Sequence, residues 1–313
     1  MNDGRGERSF RDYAGITLRG VCMGAADVVP GVSGGTMALI TGIYEELIQS
    51  IRSFDGQALR LLTKRDWQGL LNHIRWPFLV ALLVGILGTI ASLSKGITWL
   101  LVNEPVLLWA FFFGLVLASV YTVGARIPTW GMGKIVIALL AAGGAYVLVG
   151  LVPVETPQSP LYVFLSAIIA ICAMILPGIS GSFILVLLGQ YHHILQAVND
   201  RDILTIAIFG CGAAVGLMSF ARVLGWVFKK YHDLTLALLT GLMLGSLRKI
   251  WPWKETLSTI EGRHGKLIPV EQINILPQVM TGEVIGAIVL ALMGIVLVLG
   301  LERLADTDKS IQA

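Results

Sequence analysis

The chain has 313 residues, 55% of them hydrophobic and 14% charged, with a mean hydropathy of +0.78 and a net charge of +3. Soluble domains carry about 25% charged residues, so this balance excludes a nucleic-acid binder, a disordered chain and a disulfide-rich secreted module. Cys22, Cys172 and Cys211 lie far apart in apolar stretches, fit neither a zinc site nor a disulfide framework, and are expected to be small buried residues.

Residues 1–13 are polar and lack the apolar core of a cleaved signal peptide, so they are expected to form a cytoplasmic tail. Two apolar regions, 14–50 and 160–198, are each interrupted by a Pro-Gly pair, Pro30-Gly31 and Pro177-Gly178. Proline removes a helix hydrogen bond and pushes the preceding residue out of the helical region. Each region is therefore expected to form two short helices around a break, and the length after the break is too small to cross a ~30 Å core. A re-entrant hairpin is predicted. Six stretches suit spanning helices: 77–101, 105–125, 133–153, 203–228, 233–248 with its flanks, and 279–301.

Pro30-Gly-Val-Ser-Gly-Gly-Thr36 aligns with Pro177-Gly-Ile-Ser-Gly-Ser-Phe183 at an offset of 147. After a polar insertion at 52–76 the offset becomes 127, pairing Gly85 with Gly212, Ser92 with Ser219, Lys95 with Arg222 and Trp99 with Trp226. The expected organisation is a first membrane repeat over 14–153, a second over 154–302 and a C-terminal tail over 303–313. A hairpin plus three spans is an odd number of crossings, so the halves should be inverted, the pattern of transporters with a midplane site. If each broken region instead crosses once, the repeats are parallel. With hairpins that do not cross, the side of the N-terminus holds 15 Lys and Arg against 7 opposite, which places both termini in the cytoplasm. The basic 248–277 loop runs against this count. The fold class expected is an all-α integral membrane protein of two inverted repeats.

Ser33 and Ser180 stand where helix N-caps belong, followed by Gly34, Gly35 and Thr36 in one copy and Gly181 and Ser182 in the other. Unpaired N–H groups at a helix start favour anions, so the two copies are expected to cradle a phosphate, with Arg222 as a further ligand. Packing alone is the plainer reading, since Gly31-x-x-x-Gly35 is a small-xxx-small pattern. Asp27, Glu45, Glu46 and His192 are candidates for coupling or gating by a proton or sodium ion. Asp27 is alternatively a cap of the break or a partner of Arg222, and the others ordinary interfacial residues. Tyr44 and Tyr191 are expected to be interfacial anchors. No cofactor, metal or nucleic acid is expected.

Arg19–Leu47, RGVCMGAADVVPGVSGGTMALITGIYEEL, and Leu176–Leu185 with Gly189-Gln190-Tyr191 together resemble the two signatures of the bacterial polyprenyl-phosphate transporter family. The resemblance implies flipping of undecaprenyl phosphate from the outer to the cytoplasmic leaflet of the inner membrane, recycling the carrier for cell-wall and glycan synthesis. An undecaprenyl pyrophosphate phosphatase is the enzymatic alternative; its motif carries Arg where Gly34 and Gly181 stand here, and Glu45 and Glu46 are adjacent rather than on one helix face. An ion-coupled carrier of small anions is the third class.

Overall fold

The computed structural model describes residues 8–29, 31–154, 156–261 and 267–311. Pro30 lies outside the described residues. The chain enters through α1 (Phe10–Val28), opened by a capping box between Ser9 and Asp12. It breaks, restarts as α2 (Gly34–Ile40) and turns into α3 (Tyr44–Arg52). The polar insertion forms α4 (Gly56–Thr63) and α5 (Trp67–His73), capped by Asp55 and Asp66. Then come α6 (Trp76–Asn103), α7 (Pro105–Ala125) and α8 (Met132–Leu148). The second half runs α9 (Pro160–Ile175), α10 (Gly181–Leu187), α11 (Tyr191–Asn199), α12 (Ile203–Lys230), α13 (His232–Ser246), β1 (Lys254–Glu261), β2 (Leu267–Asn274) and α14 (Gly282–Ile311).

The sequence repeat reappears in the backbone. The pairs α2/α10, α3/α11 and α6/α12 have equal lengths of 7, 9 and 28 residues. Gly31 and Gly178 adopt φ of 88° and 87°, and Gly42 and Gly189 φ of 75° and 65°, a left-handed conformation open to glycine without a Cβ clash.

The two ends of each broken region meet. Arg8, ahead of α1, pairs with Glu46 of α3 at 2.8 Å. In the second copy Gln190 donates to Thr156 Oγ1 at 2.7 Å and to Pro157 O at 3.1 Å, and Val154 N donates to Leu187 O at 2.9 Å. Each broken region therefore folds back on itself.

Among the described residues four helices, α6, α7, α12 and α14, are long and apolar enough to cross a membrane. Two of the six expected spans are shorter: α8 has 17 residues and α13 has 15, about 25 and 22 Å at 1.5 Å per residue. The helices pack in the pairs α1 on α6, α9 on α12, α8 on α13 and α7 on α14. Small residues allow this: a Cβ on Gly85 would strike the Thr17 carbonyl, and one on Gly114 the Ala291 carbonyl. Leu83, Val84 and Leu87 of α6 and Ile285, Leu292 and Val296 of α14 are exposed, as an apolar solvent requires.

Two further expectations differ from the structure. The 248–277 loop holds an antiparallel β-hairpin, β1 with β2, so the described residues add a two-stranded ribbon to the helices. Cys22 and Cys172 are half-buried and Cys211 is exposed on α12, where apolar surroundings tolerate a thiol without enclosing it.

Candidate functional site

The first break is a closed joint. Asp27 Oδ1 accepts from the Gly34 N–H at 2.7 Å, and Ser33 Oγ accepts from the Gly35 N–H at 3.1 Å. Ser33 Oγ also faces the carbonyls of Met174 and Leu176, each at 3.3 Å, and Thr36 Oγ1 accepts from the Gly178 N–H at 2.9 Å. Ser33, Gly34, Gly35 and Thr36 are all buried. The donors that this copy was expected to offer an anion are spent inside the protein. Asp27 stands where the anion would, capping α2 across the break. It makes no pair with Arg222, whose exposed side chain donates to Phe54 O at 3.2 Å beyond the end of α3; Arg222 is thus not brought to the breaks. Tyr44 is no interfacial anchor: it is 1% exposed and donates to Ile175 O at 3.0 Å.

The second break is open where the first is closed. Position 174, the counterpart of Asp27, is Met174, and a Cβ on Gly181 would lie 3.0 Å from its Cβ. A methionine brings no carboxylate to the start of α10. Ser180 occupies the N-cap position, yet its hydroxyl pairs with Ser182 Oγ at 2.8 Å instead of capping a helix N–H. Among the described residues no protein acceptor faces the N–H groups of Gly181 and Ser182.

Ser182 opens into a cavity of about 340 Å³ whose lining includes Phe183, Tyr191, Arg248, Lys249 and Lys254; among the described residues no Asp or Glu lines it. Lys249 joins the two breaks. Its Cγ would lie 2.9 Å from a Cβ on Gly31, and its ammonium lies 4.6 Å from the centre of the Phe183 ring. Arg248 stacks on Tyr146 at 4.4 Å and Lys254 on Trp109 at 4.4 Å. Lys254 also donates to the Lys249 carbonyl at 2.5 Å. Burial, with the Lys249 charge adding to it, pushes the Lys254 ammonium down to about 7. Three cations and the Ser182 side chain thus line one cavity at the start of α10. Sequence reasoning missed all three cations; the signal was the basic loop that ran against the charge count.

A second, larger cavity of about 950 Å³ lies at the other end of α13, beside α3. His232 and Leu236 line it, whereas Arg248 and Lys249 line the first, so the length of α13, about 22 Å, separates them. Glu45 and Glu46 are both found here, Glu45 3.3 Å from His232 and Glu46 on Arg8. His192 is exposed on α11, its ring against Tyr191, and the structure does not bring it to the breaks. Among the described residues no three His, Cys, Asp or Glu side chains gather as metal ligands would.

Residues 23–268 match the family described as undecaprenyl phosphate translocase-like. The chain belongs to that family. It is 44% identical over 301 residues to the polyprenyl-phosphate transporter of Vibrio cholerae serotype O1 (strain ATCC 39315 / El Tor Inaba N16961), covering 94% of this chain and 98% of the relative. It is 28% identical over 254 residues to the polyprenyl-phosphate transporter of Staphylococcus aureus (strain NCTC 8325 / PS 47), covering 75% of this chain and 85% of the relative. The family and these relatives carry the names of transporters, not of enzymes. No solved structure matches the chain.

Proposed function

We propose that the protein carries undecaprenyl phosphate from the outer to the cytoplasmic leaflet of the bacterial inner membrane, recycling the lipid carrier, and receives the phosphate head group in the cavity beside α10. The observation that carries this reading is the meeting of Ser182, the uncapped start of α10 and Lys249 in one basic cavity at the contact between the two breaks. A phosphate monoester matches that set, since charge-assisted donors bind it best. The site thus uses Ser180, Gly181 and Ser182 with Arg248, Lys249 and Lys254, and leaves the first copy as a structural joint.

The two halves are read as inverted repeats with re-entrant hairpins. Lys254, at the α10 cavity, stacks on Trp109 near the start of α7, while Arg126 at its end lines the far cavity. α13 runs from that far cavity to the α10 cavity, so these counterpart helices run opposite ways. The charge excess supports a cytoplasmic side for the far cavity, the tail and both termini. Coupling is assigned to Asp27, the carboxylate at the joint, with a proton or sodium ion as the driving partner.

Binding of a C15 prenyl phosphate to the purified full chain tests the site. A hydrogen bond to a charged group contributes about 1.5–3 kcal/mol, so Lys249→Ala should weaken binding roughly 10- to 150-fold. Unchanged binding in a folded variant contradicts the assignment.

A further inference from the structure

The cavity beside α3 has no assigned role. Its polar wall carries Arg52, Arg75, Arg126 and Lys229 beside Glu46. Arg126 is fixed there, donating to the Leu39 and Ile40 carbonyls at the end of α2 at 3.1 and 3.2 Å, with Glu302 at 3.9 Å. Arg52 and Lys229 differ: among the described residues neither has a carboxylate or carbonyl partner, and the Arg52 guanidinium lies across Gly225 so closely that a Cβ there would sit 2.6 Å from its Nη1. Of the acidic side chains in the lining, Glu45 lies 3.3 Å from His232, and Glu46 is held by Arg8 at 2.8 Å and by Arg75 at 4.0 Å. The lining also has an apolar part, with Leu39, Ile48, Phe228 and Leu236. A volume of about 950 Å³ far exceeds a phosphate and leaves room for the first isoprene units of a chain.

We infer that this cavity is a second prenyl-phosphate site, in which Arg52 and Lys229 take the phosphate, the apolar wall takes the start of the chain, and Glu46 competes with the phosphate for the basic wall. The inference deepens the transport reading: it supplies a release site one α13 length away from the receiving site. Two basic sites at the ends of one short helix give the head group a resting place on each side, and the Glu46 carboxylate gives it a reason to leave the second. Arrival of the phosphate draws Arg75 and Arg8 from Glu46, and departure returns them.

Calorimetric titration of the purified full chain with farnesyl phosphate tests this, with inorganic phosphate as competitor. Wild type is expected to show two sites. Arg52→Ala with Lys229→Ala should remove one and Lys249→Ala the other. Arg52→Lys with Lys229→Arg should restore the first, which separates charge from folding. Glu46→Gln should tighten the Arg52–Lys229 site about 5-fold, the effect of removing one partly screened like charge. Two sites surviving in the double Ala variant, or weaker binding in Glu46→Gln, overturns the inference. Inorganic phosphate binding there as tightly as farnesyl phosphate overturns its prenyl part. If Lys249→Ala changes nothing while the double Ala variant loses a site, the receiving-site reading fails and this one stands.

Discussion

The backbone N–H of Gly178 donates to the Thr36 hydroxyl at 2.9 Å, across 142 positions of sequence. One break thereby closes a hydrogen bond for the other. Around it Ser33 reaches the Met174 and Leu176 carbonyls and Tyr44 the Ile175 carbonyl. All these contacts run from the first half to the second. The first copy of the motif holds the second in place and leaves it open.

Thr36→Val keeps the shape and removes the acceptor. A buried N–H left without a partner costs about 1–3 kcal/mol. The variant should melt at a lower temperature, with Thr36→Ser close to wild type. Equal melting of wild type and Thr36→Val would mean that the joint bears no load.

Ser33 and Ser180 hold matching positions in the two copies, yet their contacts differ, and Ser182 is the hydroxyl that lines the cavity. Ser33→Ala removes a cap and two cross-half contacts, so it should destabilise by about 1 kcal/mol with little change in head-group affinity. Ser182→Ala should do the reverse, leaving the melting temperature alone and weakening prenyl phosphate binding severalfold. Thermal melts and titrations on both variants check the split.

Asp27→Asn retains an oxygen for the Gly34 N–H and abolishes titration; Asp27→Ala loses both. The Asn variant should fold and bind like wild type but lose the dependence of transport on an imposed proton or sodium gradient. The Ala variant should be less stable by about 0.5–2 kcal/mol. Vesicle transport with and without the gradient distinguishes them, and an unchanged gradient dependence in the Asn variant removes Asp27 from coupling.

Lys254 makes the receiving cavity sensitive to pH. Its ammonium titrates at about 7 because burial, and then the Lys249 charge, disfavour the cation. A bound phosphate favours the cation, so binding takes up a proton and affinity falls as pH rises above about 7. The second ionisation of a phosphate monoester lies near 6 and is nearly complete by then, so it does not cancel the trend. Titrations from about pH 7 to about pH 9 should show a fall of at most tenfold per unit. Lys254→Arg stays charged and should flatten the profile.

The sequence makes the repeat legible because its markers are backbone requirements. Gly31, Gly42, Gly178 and Gly189 all need positive φ, and such positions leave a glycine behind at each copy. The long helices are legible from apolar length alone. The functional asymmetry is harder to see. Nothing in the motif itself says that Asp27 reaches Gly34, since the two are seven residues apart and meet only once the chain turns at Gly31. Its counterpart, Met174, carries the information, but only to a reader who already knows what position 27 does. Lys249 and Lys254 sit in a segment with the composition of an extramembrane loop, and only the close of α13 beside both breaks turns them inward. Arg222 misleads for the opposite reason: its place in an apolar helix suggests a buried charge, whereas that face of α12 is exposed and next to the polar insertion.

The most direct test is transport itself. Full-length protein in vesicles, supplied with a polyprenyl phosphate whose head group can be quenched from outside, should move that head group to the inner leaflet. Lys249→Gln, which shortens the side chain and removes its charge, should abolish this while the protein still elutes and melts as a folded chain. Wild-type transport rates in folded Lys249→Gln would contradict the central claim that the phosphate enters where the two breaks meet.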